Sequence, residues 1–188
     1  MTAAPGHVSD LGGRVIMGLD PGTASTGYGV VEVKGNRLRA LDFGVIETAA
    51  GLPLEARLEA IFGRVRELLA QHQPSATAVE SLFFNANVRT AFAVGQARGV
   101  SLLACSLAGC EVFEYTPQQI KQAVVGYGKA SKDQVMEMVR VLLALADPPR
   151  PDHAADALGV AICHANSYGV RERVERRLAG QVRGTGGA

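Results

Sequence analysis

The sequence predicts one α/β domain built on a five-stranded mixed sheet flanked by helices, and three observations predict it. A short apolar run over residues 15–20 stops at Asp20-Pro21-Gly22, as a buried strand closed by a turn does. Two further strand-like runs, 28–34 and 37–46, meet at Gly35-Asn36, dipeptide chemistry suited to a tight hairpin. Beyond them, helix-periodic and strand-like segments alternate, the pattern of strands joined by helical crossovers. At 188 residues the chain is long enough to bury a core and short for two full lobes.

The elements follow in order. Strands over 15–20, 28–34 and 37–46 pair antiparallel and open the domain. Leu54, Leu58, Ile61, Val65, Leu68 and Leu69 recur at helical spacing with Arg and Glu between them, an amphipathic helix that ends before Pro74. A fourth strand spans 76–80 and leaves Glu80 at its end. Residues 88–108 are helical in composition, with too many apolar positions for one buried stripe, so a second face is expected to be covered, most simply by a second copy. A fifth strand spans 111–115. Pro117 then sits in the first turn of a helix to Val125, and Ser131 and Asp152 have the chemistry of N-caps for helices over 132–145 and 153–166. No internal repeat is present.

Composition limits the function classes. With 47% hydrophobic and 20% charged residues, and no apolar run near the roughly 20 residues of a membrane span, a soluble protein without membrane association is expected. Residues 1–14 join no basic segment, apolar stretch and small-residue cleavage site; they read as a flexible leader, and a cytoplasmic location follows. Residues 168–188 are Arg-rich and Gly-ended with little to bury, which predicts a frayed basic tail after a domain over 15–167. Cys105, Cys110 and Cys163 are odd in number and set among apolar neighbours, favouring reduced buried thiols over disulfides or zinc. A net charge of +1 supplies no global field, so any nucleic-acid binding must come from local clusters of Lys and Arg.

Three acids stand where chemistry is possible: Asp20 and Glu80 at strand ends, Asp156 at a helix start. Adjacent parallel strands gather their C-terminal ends at one edge of a sheet, so the three can converge. Phosphodiester hydrolysis by two divalent cations about 4 Å apart needs clustered oxygen ligands of this kind, and magnesium favours carboxylates and water. Taken singly, each acid has a plainer reading: Asp20 as a turn former, Glu80 as a surface charge, Asp156 as a first-turn acid favoured by the helix dipole.

The text around the acids adds weight. Gly18-Leu19-Asp20-Pro21-Gly22 with Thr26-Gly27-Tyr28-Gly29-Val30, then Val79-Glu80, Gly95-Gln96-Ala97-Arg98-Gly99-Val100, Lys121-Gln122-Ala123-Val124-Val125-Gly126 and Ala154-Ala155-Asp156-Ala157-Leu158 together resemble the RuvC Holliday junction resolvases. The resemblance spans residues 15–166. It implies an RNase H-like fold, a homodimer, magnesium or manganese dependence with two ions per site, paired symmetric nicks across a four-way DNA junction, and the RuvAB branch-migration complex as partner. By motif, Asp20, Glu80 and Asp156 match the family's catalytic, metal-binding acids.

One position departs from the commonest pattern of the resemblance, although some members of that family carry histidine there. An acid is expected three residues before the last catalytic Asp, and His153 stands there with Asp152 just before it. On a helix both spacings share a face with Asp156, so either residue can reach the site; strict spacing favours His153 as the fourth catalytic and metal ligand. Imidazole suits manganese better than magnesium, so the exchange bears on metal preference. The plainer reading is a first-turn surface histidine.

Lys121, Lys129 and Lys132 surround Gly126-Tyr127-Gly128 and suit phosphate contact, with solvated helix-end charges as the plainer reading. The resemblance places lysines matching Lys121 and Lys132 near the catalytic centre. Phe83 resembles by position the family's junction-contacting aromatic, where a ring stacking on an unpaired base contributes about 1–3 kcal/mol; Phe84 can point into the core, and both rings packing inward is the plainer reading. Two rival functions share the fold. Gly18 to Thr23 also resembles the phosphate loop of actin-like ATPases, which need a second lobe, and a non-catalytic junction-binding scaffold or a YqgF-like relative would keep the fold, the latter for RNA work.

Overall fold

The structure is a computed structural model and describes residues 13–81 and 88–184. Ten elements follow one another: β1 (Arg14–Asp20), β2 (Ser25–Lys34), β3 (Arg37–Glu47), α1 (Leu54–His72), β4 (Ala76–Glu80), α2 (Val88–Leu107), β5 (Glu111–Tyr115), α3 (Pro117–Val125), α4 (Lys132–Leu142) and α5 (Asp152–Gly184). The five strands form one sheet in the order β3-β2-β1-β4-β5. β1, β2 and β3 pair antiparallel, while β1–β4 and β4–β5 pair parallel, so the sheet is mixed as expected.

Local chemistry explains the boundaries. Lys34 pairs with Arg37 across Gly35, whose φ of +59° is the left-handed conformation glycine adopts without a Cβ penalty. Thr116 and Ser131 each form a reciprocal capping box, with Gln119 and Gln134 respectively, starting α3 and α4. Some bounds differ from expectation. β2 starts at Ser25, before two glycines that lower strand propensity, because the ladder with β1 continues to Asp20↔Gly27. Arg14 is already in β1 and stacks its guanidinium 4.1 Å from the Tyr168 ring centroid. α4 stops at Leu142, α5 continues past Asn166 to Gly184, and Asp152 is the first residue of α5 instead of its cap.

The sheet has two covered faces. Met17, Leu19, Val30 and Val79 pack beneath α1 and α2 with Ile61, Val65, Leu68, Ala97 and Ala104. Ile16, Val31 and Ala78 face Ile120, Val139, Leu158 and Ile162 of α3, α4 and α5. Side chains alternate along a strand, so Asp20 lies on the same face as Ile16, and Glu80 on the same face as Ala78. Both acids therefore emerge on the α5 side. α2 buries Ala97, Ala104 and Cys105 yet leaves Phe92 69%, Leu103 51% and Leu107 67% exposed. Cys105, Cys110 and Cys163 are free thiols, and burial pushes Cys105 and Cys163 up to about 11. Among the described residues no helix is long and apolar enough to cross a membrane.

Candidate active site

Small residues let the start of α5 lie directly on the sheet. A Cβ added to Gly27 would stand 2.0 Å from the His153 carbonyl oxygen, and one added to Gly18 would stand 2.0 Å from that of Ala157. Gly18 pairs with Gly29, and Gly27 with Asp20, so the glycines lie side by side under α5, beside its buried Ala154, Ala157 and Ala161. The contact gains packing on both surfaces at once. Its functional result is that the first turn of α5 is pressed against the end of β1.

Asp20, His153 and Asp156 consequently meet. Their ligand atoms all lie within 4.8 Å of one another, and His153 Nδ1 is 2.7 Å from Asp20 Oδ2. That contact is a hydrogen bond between the imidazole and the carboxylate. Two carboxylates and an imidazole form a donor set that could hold a divalent metal ion. Asp152, the alternative fourth ligand, is not in the trio: its carboxylate lies 3.1 Å from Lys132 Nζ.

The turn after Asp20 is held by its own polar groups. Thr26 Oγ1 donates to the Gly22 carbonyl at 2.7 Å, and Thr48 Oγ1 donates to the Thr23 carbonyl at 2.5 Å. Arg57 Nε in turn donates to Thr48 Oγ1 at 2.8 Å. Thr48 and Arg57 carry no motif signature, because Thr48 acts on a backbone carbonyl 25 positions away and Arg57 acts only through the Thr48 hydroxyl.

Glu80 stands beside the trio without joining it. Burial holds its carboxyl above the ordinary range, with the charges of Asp20 and Asp156 adding and Lys121 and Lys132 opposing. Asp156 is raised likewise, by burial first, against the opposing bond from Lys132, with Asp20 adding. Carboxylates that repel one another this way are what a bound cation would relieve. Glu80, Asp156, Lys121 and Lys132 line one open cleft of about 260 Å³, floored by Ile120, Val135 and Gly159.

The lysines divide. Lys132 Nζ reaches Asp156 Oδ2 at 3.2 Å as well as Asp152, and although burial disfavours its charge, these carboxylates outweigh it and raise its pKa. Lys121 lines the same cleft. Lys129 is exposed and does not line it. Phe83 and Phe84 lie outside the described residues.

Comparison with known proteins gives the family. The family model "Crossover junction endodeoxyribonuclease RuvC" matches residues 16–164. The crossover junction endodeoxyribonuclease RuvC of Rubrobacter xylanophilus is 58% identical over 155 residues, 82% of this chain and 87% of the relative. The solved structure of T. thermophilus RuvC in complex with Holliday junction substrate matches with a TM-score of 0.80 at 43% identity, covering 82% of this chain and 94% of that one. The yeast mitochondrial Holliday junction resolvase Ydc2 shares the fold at a TM-score of 0.66 with 10% identity. With the expected RNase H-like fold in place and the family model matching most of its length, the chain belongs to the RuvC family of crossover junction endodeoxyribonucleases.

Proposed function

We propose that this chain is a structure-specific endonuclease that resolves four-way DNA junctions by paired symmetric nicks during recombination and repair. The observation that carries the reading is the convergence of Asp20, His153 and Asp156 within 4.8 Å, beside Glu80, in a chain 43% identical to a RuvC solved with a Holliday junction substrate.

Asp20, Glu80, Asp156 and His153 are proposed as the catalytic set that holds magnesium or manganese, two ions per site. The ions, when bound, activate water and stabilise the leaving oxygen of the phosphodiester. The chain's own residues do the rest. Before an ion binds, His153 Nδ1 and Asp20 Oδ2 hold one another in place across 2.7 Å; as a ligand, His153 would turn a ring nitrogen to the ion instead. Lys132 compensates Asp152 and Asp156 before DNA arrives and, with Lys121 across the cleft, is placed to take phosphate oxygens. Lys129, on the exposed turn, is proposed as an outer backbone contact, and Phe83 as the ring that stacks on an unpaired base.

A four-way junction has near two-fold symmetry, and two matched nicks call for a two-fold homodimer. The exposed Phe92, Leu103 and Leu107 on α2 support a face covered by a second copy. RuvAB as partner, a cytoplasmic location, and residues 15–167 as the nuclease domain between a leader and a basic tail belong to the same reading. Incubating the protein with a four-way junction, a plain duplex and a single-stranded RNA, each with magnesium or manganese, tests it. Paired nicks confined to the junction are expected; cleavage of RNA alone, or none of the three, would refute it.

A further inference from the structure

Within the segment Gly95-Gln96-Ala97-Arg98-Gly99-Val100, Arg98 is a charged side chain buried in the middle of α2, with 8% of its surface exposed. A guanidinium is withdrawn from water only where its donors find fixed acceptors. Arg98 has two: one terminal nitrogen donates to the Glu80 backbone carbonyl at 2.8 Å, and the other meets Glu114 Oε1 of β5 at 2.6 Å.

The sheet itself explains why Glu80 needs that donor. β1 and β4 pair parallel with Leu19 beside Val79, and one further step sets Asp20 beside Glu80. In a parallel ladder a residue's carbonyl accepts from the amide one position beyond its partner. For Glu80 that amide is residue 21, which is proline and has no N–H. On the opposite edge, Ser81 N donates to the Tyr115 carbonyl at 2.8 Å. The Glu80–Ser81 peptide is thus held on the β5 side by the ladder and, among the described residues, on the other side by Arg98.

We propose that Arg98 is a positioning residue for cleavage: it supplies the ladder donor that Pro21 lacks and thereby fixes the backbone from which the Glu80 carboxylate projects toward Asp20 and Asp156. Arg98 touches neither DNA nor the reacting atoms in this role; it acts through Glu80. The inference rests on the proposed catalytic role of Glu80. The same Pro21 that closes β1 behind Asp20 creates the gap, so one device sets two acids.

Arg98→Lys keeps the charge but loses the planar fork, and Arg98→Met keeps the bulk without a donor. Both are compared with the wild type and Glu80→Gln in single-turnover cleavage, junction binding without divalent cation, thermal midpoint, and manganese binding to the DNA-free protein followed by water-proton relaxation. A small displacement at a reacting centre costs rate far more than affinity, so kcat should fall by at least ~10-fold with junction Kd within about twofold. Manganese binding should weaken in the same variants. Wild-type kcat and manganese binding in Arg98→Met overturn the proposal, as does a parallel loss of junction affinity and thermal midpoint, which marks a residue of the core alone. If neither variant folds, Arg98 is likewise a core residue and the positioning role is overturned. Should Glu80→Gln cleave normally, the role of Glu80 fails; if it is inactive while both Arg98 variants match the wild type, only this inference fails.

Discussion

His153 Nδ1 lies 2.7 Å from Asp20 Oδ2, although 133 positions separate the two residues. The pair joins the end of the first strand to the start of the last helix, and it sets an imidazole at the place where the resemblance leads one to expect an acid. Replacing a negative ligand with a neutral one weakens attraction for hard, water-loving magnesium more than for manganese. Manganese should therefore support the faster cleavage, and His153→Asp should lower the manganese-to-magnesium rate ratio. An unchanged ratio removes His153 from the metal site. Asp152→Asn should keep most activity, since Asp152 is paired with Lys132 outside the trio.

Asp20→Asn, Glu80→Gln and Asp156→Asn should each reduce cleavage by at least about 100-fold while junction binding persists, because a neutral amide is a poor metal ligand. The metal-free protein offers a second readout. The carboxyls of Glu80 and Asp156 are raised in the fold, so the folded state binds protons more readily than the unfolded one. Their contribution is most favourable below the ordinary carboxylate range and is lost as pH rises through the raised values. Glu80→Gln should raise the metal-free thermal midpoint at neutral pH, with the gain vanishing in acid. A lowered midpoint at neutral pH would show that Glu80 is not under repulsion.

Lys121→Ala and Lys132→Ala should weaken junction binding or slow cleavage, and each should flatten the salt dependence of binding by about 0.9 in the logarithmic slope if one duplex phosphate contact is lost. Lys132→Ala should also weaken the protein slightly by leaving Asp152 and Asp156 unbalanced. Slopes and rates equal to the wild type in both variants would exclude these lysines from the DNA surface.

Gly27→Ala puts a methyl group 2.0 Å from the His153 carbonyl oxygen, a backbone atom that cannot rotate away. Overpacking of this sort costs about 1–3 kcal/mol, and a chain of this size loses about 2–4 °C of midpoint per kcal/mol. Cleavage should fall further than stability does, because the displaced segment carries His153 and Asp156. Gly51→Ala, with open space around it, is the control. Matching midpoints and rates in the two variants would show that α5 does not need the close approach.

His164 is buried between Phe113, Tyr115 and Tyr168, with Nδ1 2.8 Å from the Tyr115 hydroxyl. Burial, with the Arg14 charge adding, lowers its pKa from 6.5 to about 4. The unfolded chain therefore binds the proton more readily, so stability is complete above about 6.5 and is lost as pH falls toward about 4, by up to about 3 kcal/mol. His164→Gln should show a shallower acid-side fall in thermal midpoint between those pH values. Parallel curves for variant and wild type would contradict the assignment.

Much of the site is readable in residue order because strand ends and helix starts announce themselves locally. Asp20 precedes Pro21-Gly22, Glu80 closes an apolar run, and Asp156 follows two alanines at a helix start. Glycine misleads the same local reading: Gly27 and Gly29 weaken the strand signal of β2, yet they are the surface on which α5 rests. Arg98 is unreadable for a related reason. Its acceptor is a backbone carbonyl 18 positions away, and its need arises from a missing N–H on a third segment.

The sequence by itself determined the mixed five-stranded sheet, the three acids with a histidine beside the last, and the family, since hydrophobic period, turn chemistry and motif text are local properties. Only the tertiary structure decided which of Asp152 and His153 joins the trio, that Lys132 balances two carboxylates, and that Arg98 replaces a donor proline cannot give. Those outcomes depend on the distance between a helix and a sheet, and that distance is set by packing of residues far apart in the chain, which no local pattern encodes.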